Sequence, residues 1–220
     1  PYDVRDNWGF NDDVQFLTSR GYAVLQVNYR GSGGYGREFL NAGFRRWGLE
    51  MQDDLTDAAR WAVQQGYADP SRIGIYGASY GGYMINWIQG QTDRFKALVC
   101  HDGNLDELMA YFDTEELWFP EWDQRGTPFE NPENYERFNP AAHVDKWRAP
   151  MLVVHGELDY RVPVTQGIAA FTALQRRGIP SRFLYYPDEN HWILTRENSV
   201  HWYGEFRDWI KRFAEPGPRQ

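Results

Sequence analysis

A chain of 220 residues, 42% of them hydrophobic, supports one layered core and is too short for two full-size domains. Asp and Glu number 31 against 23 Lys and Arg, a net charge of -8 with no basic stripe to meet phosphates, which argues against a nucleic-acid partner. No apolar run is long enough to cross a bilayer and no secretory leader is visible, so the expectation is no membrane and a cytoplasmic setting.

In chain order, residues 11–20 read as a helix ended by Gly21, and residues 22–29 as a strand. Gly31-Ser-Gly-Gly-Tyr-Gly36 then spells the dinucleotide fingerprint. That site needs a helix opening directly on the glycines, whereas residues 37–48 intervene with Asn41, Gly43 and Gly48 as breakers, so no such cofactor is expected. Residues 51–65 form a helix with Met51, Leu55, Ala58, Ala59 and Ala62 on one face, ended by Gly66. Ile73 to Tyr76 is a strand, Met84, Ile85 and Ile88 fall at helical spacing, and residues 95–100 are a strand ending in the lone Cys100, which packs as a small hydrophobe.

From 104 to 149 periodicity fails among Pro120, Pro128, Pro132 and Pro140, and the stretch reads as a lid-like insertion. Its aromatics between Tyr111 and Phe138 suggest a pocket wall or interface in addition to core. Met151 to Val154 is a buried strand, Val164, Ile168, Phe171 and Leu174 an amphipathic helix ending at Gly178, Arg182 to Tyr186 a strand, and Trp202, Phe206, Trp209, Ile210 and Phe213 the last helix. Residues 215–220 are expected to fray. The alternation predicts an α/β fold, one domain over 1–220, with a mainly parallel sheet and helices on both faces.

Gly77-Ala78-Ser79-Tyr80-Gly81 sits between strand and helix as G-x-S-x-G. A sharp strand-to-helix turn forces its serine into a strained conformation that needs small neighbours, which is the nucleophile elbow of an α/β-hydrolase. Such an enzyme also needs an acid and then a histidine, in that order. Asp159 lies just past the strand 151–154, with Glu157 and Asp102 as alternatives, and His191 lies just past the strand 182–186. His101 and His155 end strands, while His143 and His201 lie in helix-like or polar segments. Catalytic groups gather at the carboxyl ends of strands in open α/β sheets, so these can converge. The Tyr80 N–H, next after the serine, is the expected oxyanion donor.

Arg30-Gly-Ser-Gly-Gly-Tyr-Gly36, Gly77-Ala-Ser-Tyr-Gly-Gly-Tyr83, His155-Gly-Glu-Leu-Asp-Tyr-Arg-Val-Pro163 and Tyr186-Pro-Asp-Glu-Asn-His-Trp192 together resemble the prolyl oligopeptidase-type serine peptidases, in their dipeptidyl and acylaminoacyl branch. The resemblance runs essentially end to end. It implies Ser79 as nucleophile, Asp159 as orienting acid and His191 as general base, with no cofactor or metal. It also implies a peptide or small acyl substrate, and an apolar pocket from Tyr80, Leu105, Leu108, Phe112, Trp118 and Val162. The family's N-terminal β-propeller has no counterpart repeat in these residues.

Three sheet strands that precede the first helix in the family are expected to be missing, with Pro1 matching the end of a His-Gly-Gly-Pro motif. The third would lie between the strand at 22–29 and the one bearing Ser79. Orphaned backbone groups there predict a partner segment or a strand exchanged between copies, and loss of the second oxyanion donor that this segment brings. The functional expectation is therefore a serine peptidase cleaving dipeptidyl or acyl-aminoacyl bonds; alternatives are a carboxylesterase for small esters and a poorly active hydrolase-fold fragment.

Overall fold

Four short strands, β1 (Gly74–Ala78), β2 (Ala97–His101), β3 (Met151–Gly156) and β4 (Ser181–Tyr186), pair side by side in chain order, all parallel. This is the arrangement in the computed structural model of the chain, which describes residues 4–215. β2 and β3 are buried along their whole length, as expected of near-continuous apolar runs covered on both faces.

The period of two in these strands divides the core. Leu98, Cys100, Met151 and Val153 point to one face, where Ile85 and Ile88 of α4 (Tyr80–Gln89) and Ala170 and Leu174 of α8 (Val164–Arg176) cover them. Ala97, Val99, Leu152 and Val154 point to the other. There α9 (Arg196–Phe213) lays down Trp202, Phe206, Trp209 and Ile210, joined at the margin by Phe16 and Leu17 of α1 (Asp12–Thr18). Trp202 and Phe206 stack 5.0 Å apart, and the Trp209 indole N–H donates to the Leu98 carbonyl at 3.1 Å. Helices thus flank both faces, as the alternation predicts.

The expected strand at 22–29 does not form: no strand among the described residues pairs with it, and β1 is the end of the sheet on that side. Alternation makes a segment extended, but a ladder needs a neighbouring backbone to bond. Locally the segment is tied by side chains, with Asn28 Oδ1 accepting from Asp6 N at 2.8 Å and Asp54 accepting from the Arg30 N–H, also at 2.8 Å. The glycine run is corrected as well. A helix, α2 (Arg37–Asn41), does open directly on Gly36, but it is five residues long and no sheet strand leads into it, so the dinucleotide geometry fails at the strand rather than at the helix.

Between β2 and β3 lie α5 (Glu107–Asp113), α6 (Trp118–Gln124), α7 (Pro132–Arg137) and a 3-10 turn (Pro140–Lys146). Each is too short for a period to show in sequence. Its aromatics divide: Tyr111, Tyr135 and Phe138 are buried, while Phe112, Trp118, Trp122 and Phe129 are exposed. In α8 the buried face is Gln166, Gly167, Ala170 and Leu174, not one containing Ile168, which is 47% exposed. Gly167 sets that rotation, because a Cβ there would meet His155 Nδ1 at 2.6 Å. α3 (Glu50–Gln64) buries Met51, Ala59 and Ala62, and Cys100 is buried as expected, its thiol pushed up to about 12 by burial. Pro1 and residues 216–220 lie outside the described residues.

Candidate active site

The four parallel strands release their chains at one edge, and each release point carries a residue of interest: Ser79 after β1, Asp102 after β2, Asp159 after β3 and His191 after β4. Ser79 has φ 58 and ψ -118, a conformation that costs an L-residue of order 1–3 kcal/mol and persists only where surroundings impose it. Its surroundings do so from both sides. The Ser79 N–H donates to the His101 carbonyl at 3.0 Å, prolonging the β1–β2 pairing, and its carbonyl accepts from Tyr83 N at 2.9 Å, starting α4. A Cβ on Gly77 would lie 2.4 Å from the Gly81 carbonyl oxygen, so this turn closes only on glycine.

Asp159 is 1% exposed and fully hydrogen-bonded. Its Oδ1 accepts from the Arg161 and Val162 N–H groups, both at 3.0 Å, and its Oδ2 from His191 Nδ1 at 2.6 Å. That contact fixes the imidazole tautomer: Nδ1 carries the proton and Nε2 carries the lone pair of a base. Burial pulls the His191 pKa down, but the Asp159 hydrogen bond and charge, with the Asp102 charge behind them, outweigh it and leave the group raised above its ordinary value. Ser79 shares the same sheet edge, and among the described residues no hydrogen bond joins its hydroxyl to His191.

Of the two alternative acids, Glu157 lies in the same loop and makes no hydrogen bond or ion pair with His191 among the described residues, whereas Asp102 Oδ2 is 3.9 Å from His191 Nδ1. His155 is fully buried with Nε2 on the Val162 carbonyl at 2.6 Å, so it braces the Asp159 loop. Asp102, His155 and Asp159 each bring one donor atom within 4.8 Å of the others. Asp159 spends both oxygens on N–H donors and His155 spends Nε2 on a carbonyl, so the set reads as a hydrogen-bonded brace rather than a cation cage.

Tyr80 opens α4, where backbone N–H groups lack helical partners, and its phenol donates to the Trp47 carbonyl at 2.9 Å. The other residues expected to line a pocket separate. Leu105 and Val162 are buried, the first in the core and the second beside Asp159, while Leu108, Phe112 and Trp118 are exposed on α5 and α6. Phe112 contacts Tyr111 and Phe129, and Trp118 contacts Phe119.

Two participants escaped the sequence reading. Glu189 staples the loop that carries His191 by accepting from Leu194 N and Thr195 N at 3.0 Å and from Asn198 Nδ2 at 2.8 Å. Gln166, 0% exposed in α8, accepts from Leu105 N at 2.9 Å and Asp106 N at 3.0 Å, holding the start of the β2–β3 connection. The run of acids around Glu189 could have drawn notice, but nothing local separates it from Asp188.

A parallel sheet that brings a left-handed serine and a carboxylate-bound imidazole to its strand ends has the α/β-hydrolase fold. Solved structures agree: Pyrococcus horikoshii acylaminoacyl peptidase superposes with a TM-score of 0.86 at 32% identity, over 96% of this chain and 36% of that one. A Mycobacterium tuberculosis puromycin-hydrolyzing peptidase gives 0.81 at 30% identity, over 88% and 30%. Residues 8–216 match the prolyl oligopeptidase family, and the chain belongs to that family. Dipeptidyl-peptidase 5 of Schizosaccharomyces pombe is 41% identical over 213 residues, which is 96% of this chain and 31% of the relative. The chain therefore spans about a third of the length of the relatives it matches. No helix among the described residues is long and apolar enough to cross a membrane.

Proposed function

We propose that this chain is the hydrolytic domain of a serine peptidase that cleaves dipeptidyl or acyl-aminoacyl bonds through an acyl-enzyme on Ser79. The observation that carries it is the buried Asp159–His191 pair, 2.6 Å apart, at the sheet edge where Ser79 is held at φ 58. In this reading His191 Nε2 takes the Ser79 hydroxyl proton as Oγ attacks the carbonyl carbon, then gives it to the leaving amine. Water repeats the cycle to release the acid. The Tyr80 N–H serves as one oxyanion donor, and the exposed Leu108, Phe112 and Trp118 with Val162 and Leu105 form the apolar wall for the residue before the scissile bond. The relatives' names support the peptide class. The outer edge of β1, with which no strand among the described residues pairs, supports a further strand, from the same protein or a second copy, that continues the sheet and brings the second donor.

Labelling with a fluorophosphonate tests the serine directly. Wild type should react and Ser79→Ala should not, with hydrolysis falling by about 10⁴-fold or more. Dipeptide anilides and acyl-amino-acid anilides compared with a short-chain aryl ester then separate the readings. Turnover of the ester alone would favour the carboxylesterase, and unmodified wild type the inactive fragment.

A further inference from the structure

His191 faces two carboxylates, and the reaction just described uses one. Asp102 follows β2 directly, is 1% exposed, and places Oδ2 3.9 Å from His191 Nδ1 and 3.0 Å from His101 Nε2 without hydrogen-bond geometry to either. Its Oδ1 accepts no hydrogen bond among the described residues. The backbone leaves this side chain no other place to go: the Asp102 N–H donates to the Val154 carbonyl at 3.0 Å, one step beyond the β2–β3 ladder, and the residue sits at φ 49.

A buried carboxylate oxygen without a donor is destabilising. At positive φ asparagine is as well accommodated as aspartate, so backbone shape gives no reason for the charge. The imidazole opposite does. We propose that Asp102 is a second, electrostatic partner of His191, a positioning residue whose field stabilises the imidazolium formed when Ser79 loses its proton. This rests on the reading of His191 as the general base.

The division of labour follows from distance. Asp159 at 2.6 Å fixes the tautomer through a hydrogen bond, whereas Asp102 at 3.9 Å is beyond one and acts through its charge. The proton moves from Ser79 Oγ to His191 Nε2 and from there leaves with the departing amine. The other charged group acting on the imidazole is Arg161 in the Asp159 loop, which opposes the effect, while the His155 and His101 rings of β3 and β2 lie against the two carboxylates, His155 by Asp159 and His101 by Asp102. An opposite charge at about this range moves a titration midpoint by about one pH unit or more.

The test follows His191 ring resonances by NMR against pH, alongside the pH profile of kcat/KM, in Asp102→Asn. The midpoint should drop by about one pH unit, the acid limb of kcat/KM should move to lower pH by the same amount, and plateau kcat should fall about tenfold with KM little changed. A folded variant whose His191 midpoint stays within about 0.3 pH units of wild type overturns the proposal. Asp159→Asn supplies a second background: its His191 midpoint should fall below wild type because burial then outweighs the one remaining carboxylate, and adding Asp102→Asn to it should lower the midpoint further, so a double variant that titrates with Asp159→Asn overturns the proposal too. The titration needs no turnover. An unreactive Ser79 would therefore sink the peptidase reading while leaving the Asp102–His191 coupling to be decided on its own.

Discussion

Glu189 does no chemistry, yet it sits two residues before His191 and closes the loop between β4 and α9 with N–H donors from Leu194, Thr195 and Asn198. Burial alone would raise its pKa, but those donors hold it at about 2. An acid whose folded pKa is depressed contributes stability that is complete above its unfolded value of about 4.5 and is lost as pH falls through about 2. Glu189→Ala removes the shared acceptor of these partly exposed donors, so thermal unfolding should show a loss of about 1–2 kcal/mol at pH 7. The His191 loop loosens with it, and kcat should fall about tenfold or more. Glu189→Gln keeps one accepting oxygen and should lie between the two. An alanine variant with wild-type Tm and kcat would show the staple to be ornamental.

The strand-to-helix turn separates what can be read from a pattern from what needs neighbours. The G-x-S-x-G motif located the element correctly, but its two glycines are unequal: a Cβ at Gly77 would strike the Gly81 carbonyl at 2.4 Å, whereas one at Gly81 meets nothing outside its own helix within 4 Å. A Cβ on Gly82, outside the motif, would lie 2.4 Å from the His101 carbonyl oxygen and would also strike Gly103. Gly77→Ala should therefore cost about 1–3 kcal/mol or more in urea unfolding, while Gly81→Ala should be neutral or gain up to about 1 kcal/mol from better helix propensity. The reverse order would refute this account of the turn. β2 and β3 were legible as short apolar runs buried on both faces, β1 and β4 as β-branched and aromatic runs, and the long helices α3, α8 and α9 because burial writes a period of 3.6 into them. The strand at 22–29 was misread because pairing depends on a second segment, and the short helices of 107–137 because six or seven residues carry less than two turns of pattern. At the site, strand-end position and order pointed to Ser79, Asp159 and His191. Asp102 stood in the sequence only as an alternative acid, and its place beside His191 follows from β2 and β4 flanking β3 in the sheet, which sequence order does not reveal.

At the scale of the molecule, three carboxyl and imidazole groups give stability and activity opposite dependences on pH. Glu107, buried at the start of α5, is raised to about 8 mainly by burial, with Asp106 and Asp123 adding to it and Asn104 opposing at 3.3 Å. Its folded state holds a proton that the unfolded chain releases near 4.5, so its contribution is complete below about 4.5 and is lost as pH rises toward 8. His191, also raised, adds stability below about 6.5 that disappears as pH climbs through its folded value. Glu189 works the other way and is complete only above about 4.5. These windows place maximum stability near pH 5. A decline of a few kcal/mol toward pH 8 follows, since each pH unit separating a group's folded and unfolded midpoints is worth about 1.4 kcal/mol. A neutral His191 is what the proposed reaction requires, so turnover should rise across the interval in which stability falls. Glu107→Gln keeps the shape and removes the titration: its Tm should be nearly unchanged at pH 5 and higher than wild type at pH 8, with the kcat/KM profile unmoved. If wild-type Tm is flat between pH 5 and 8, or the glutamine variant loses as much at pH 8 as wild type does, Glu107 is not the buried acid that its surroundings make it.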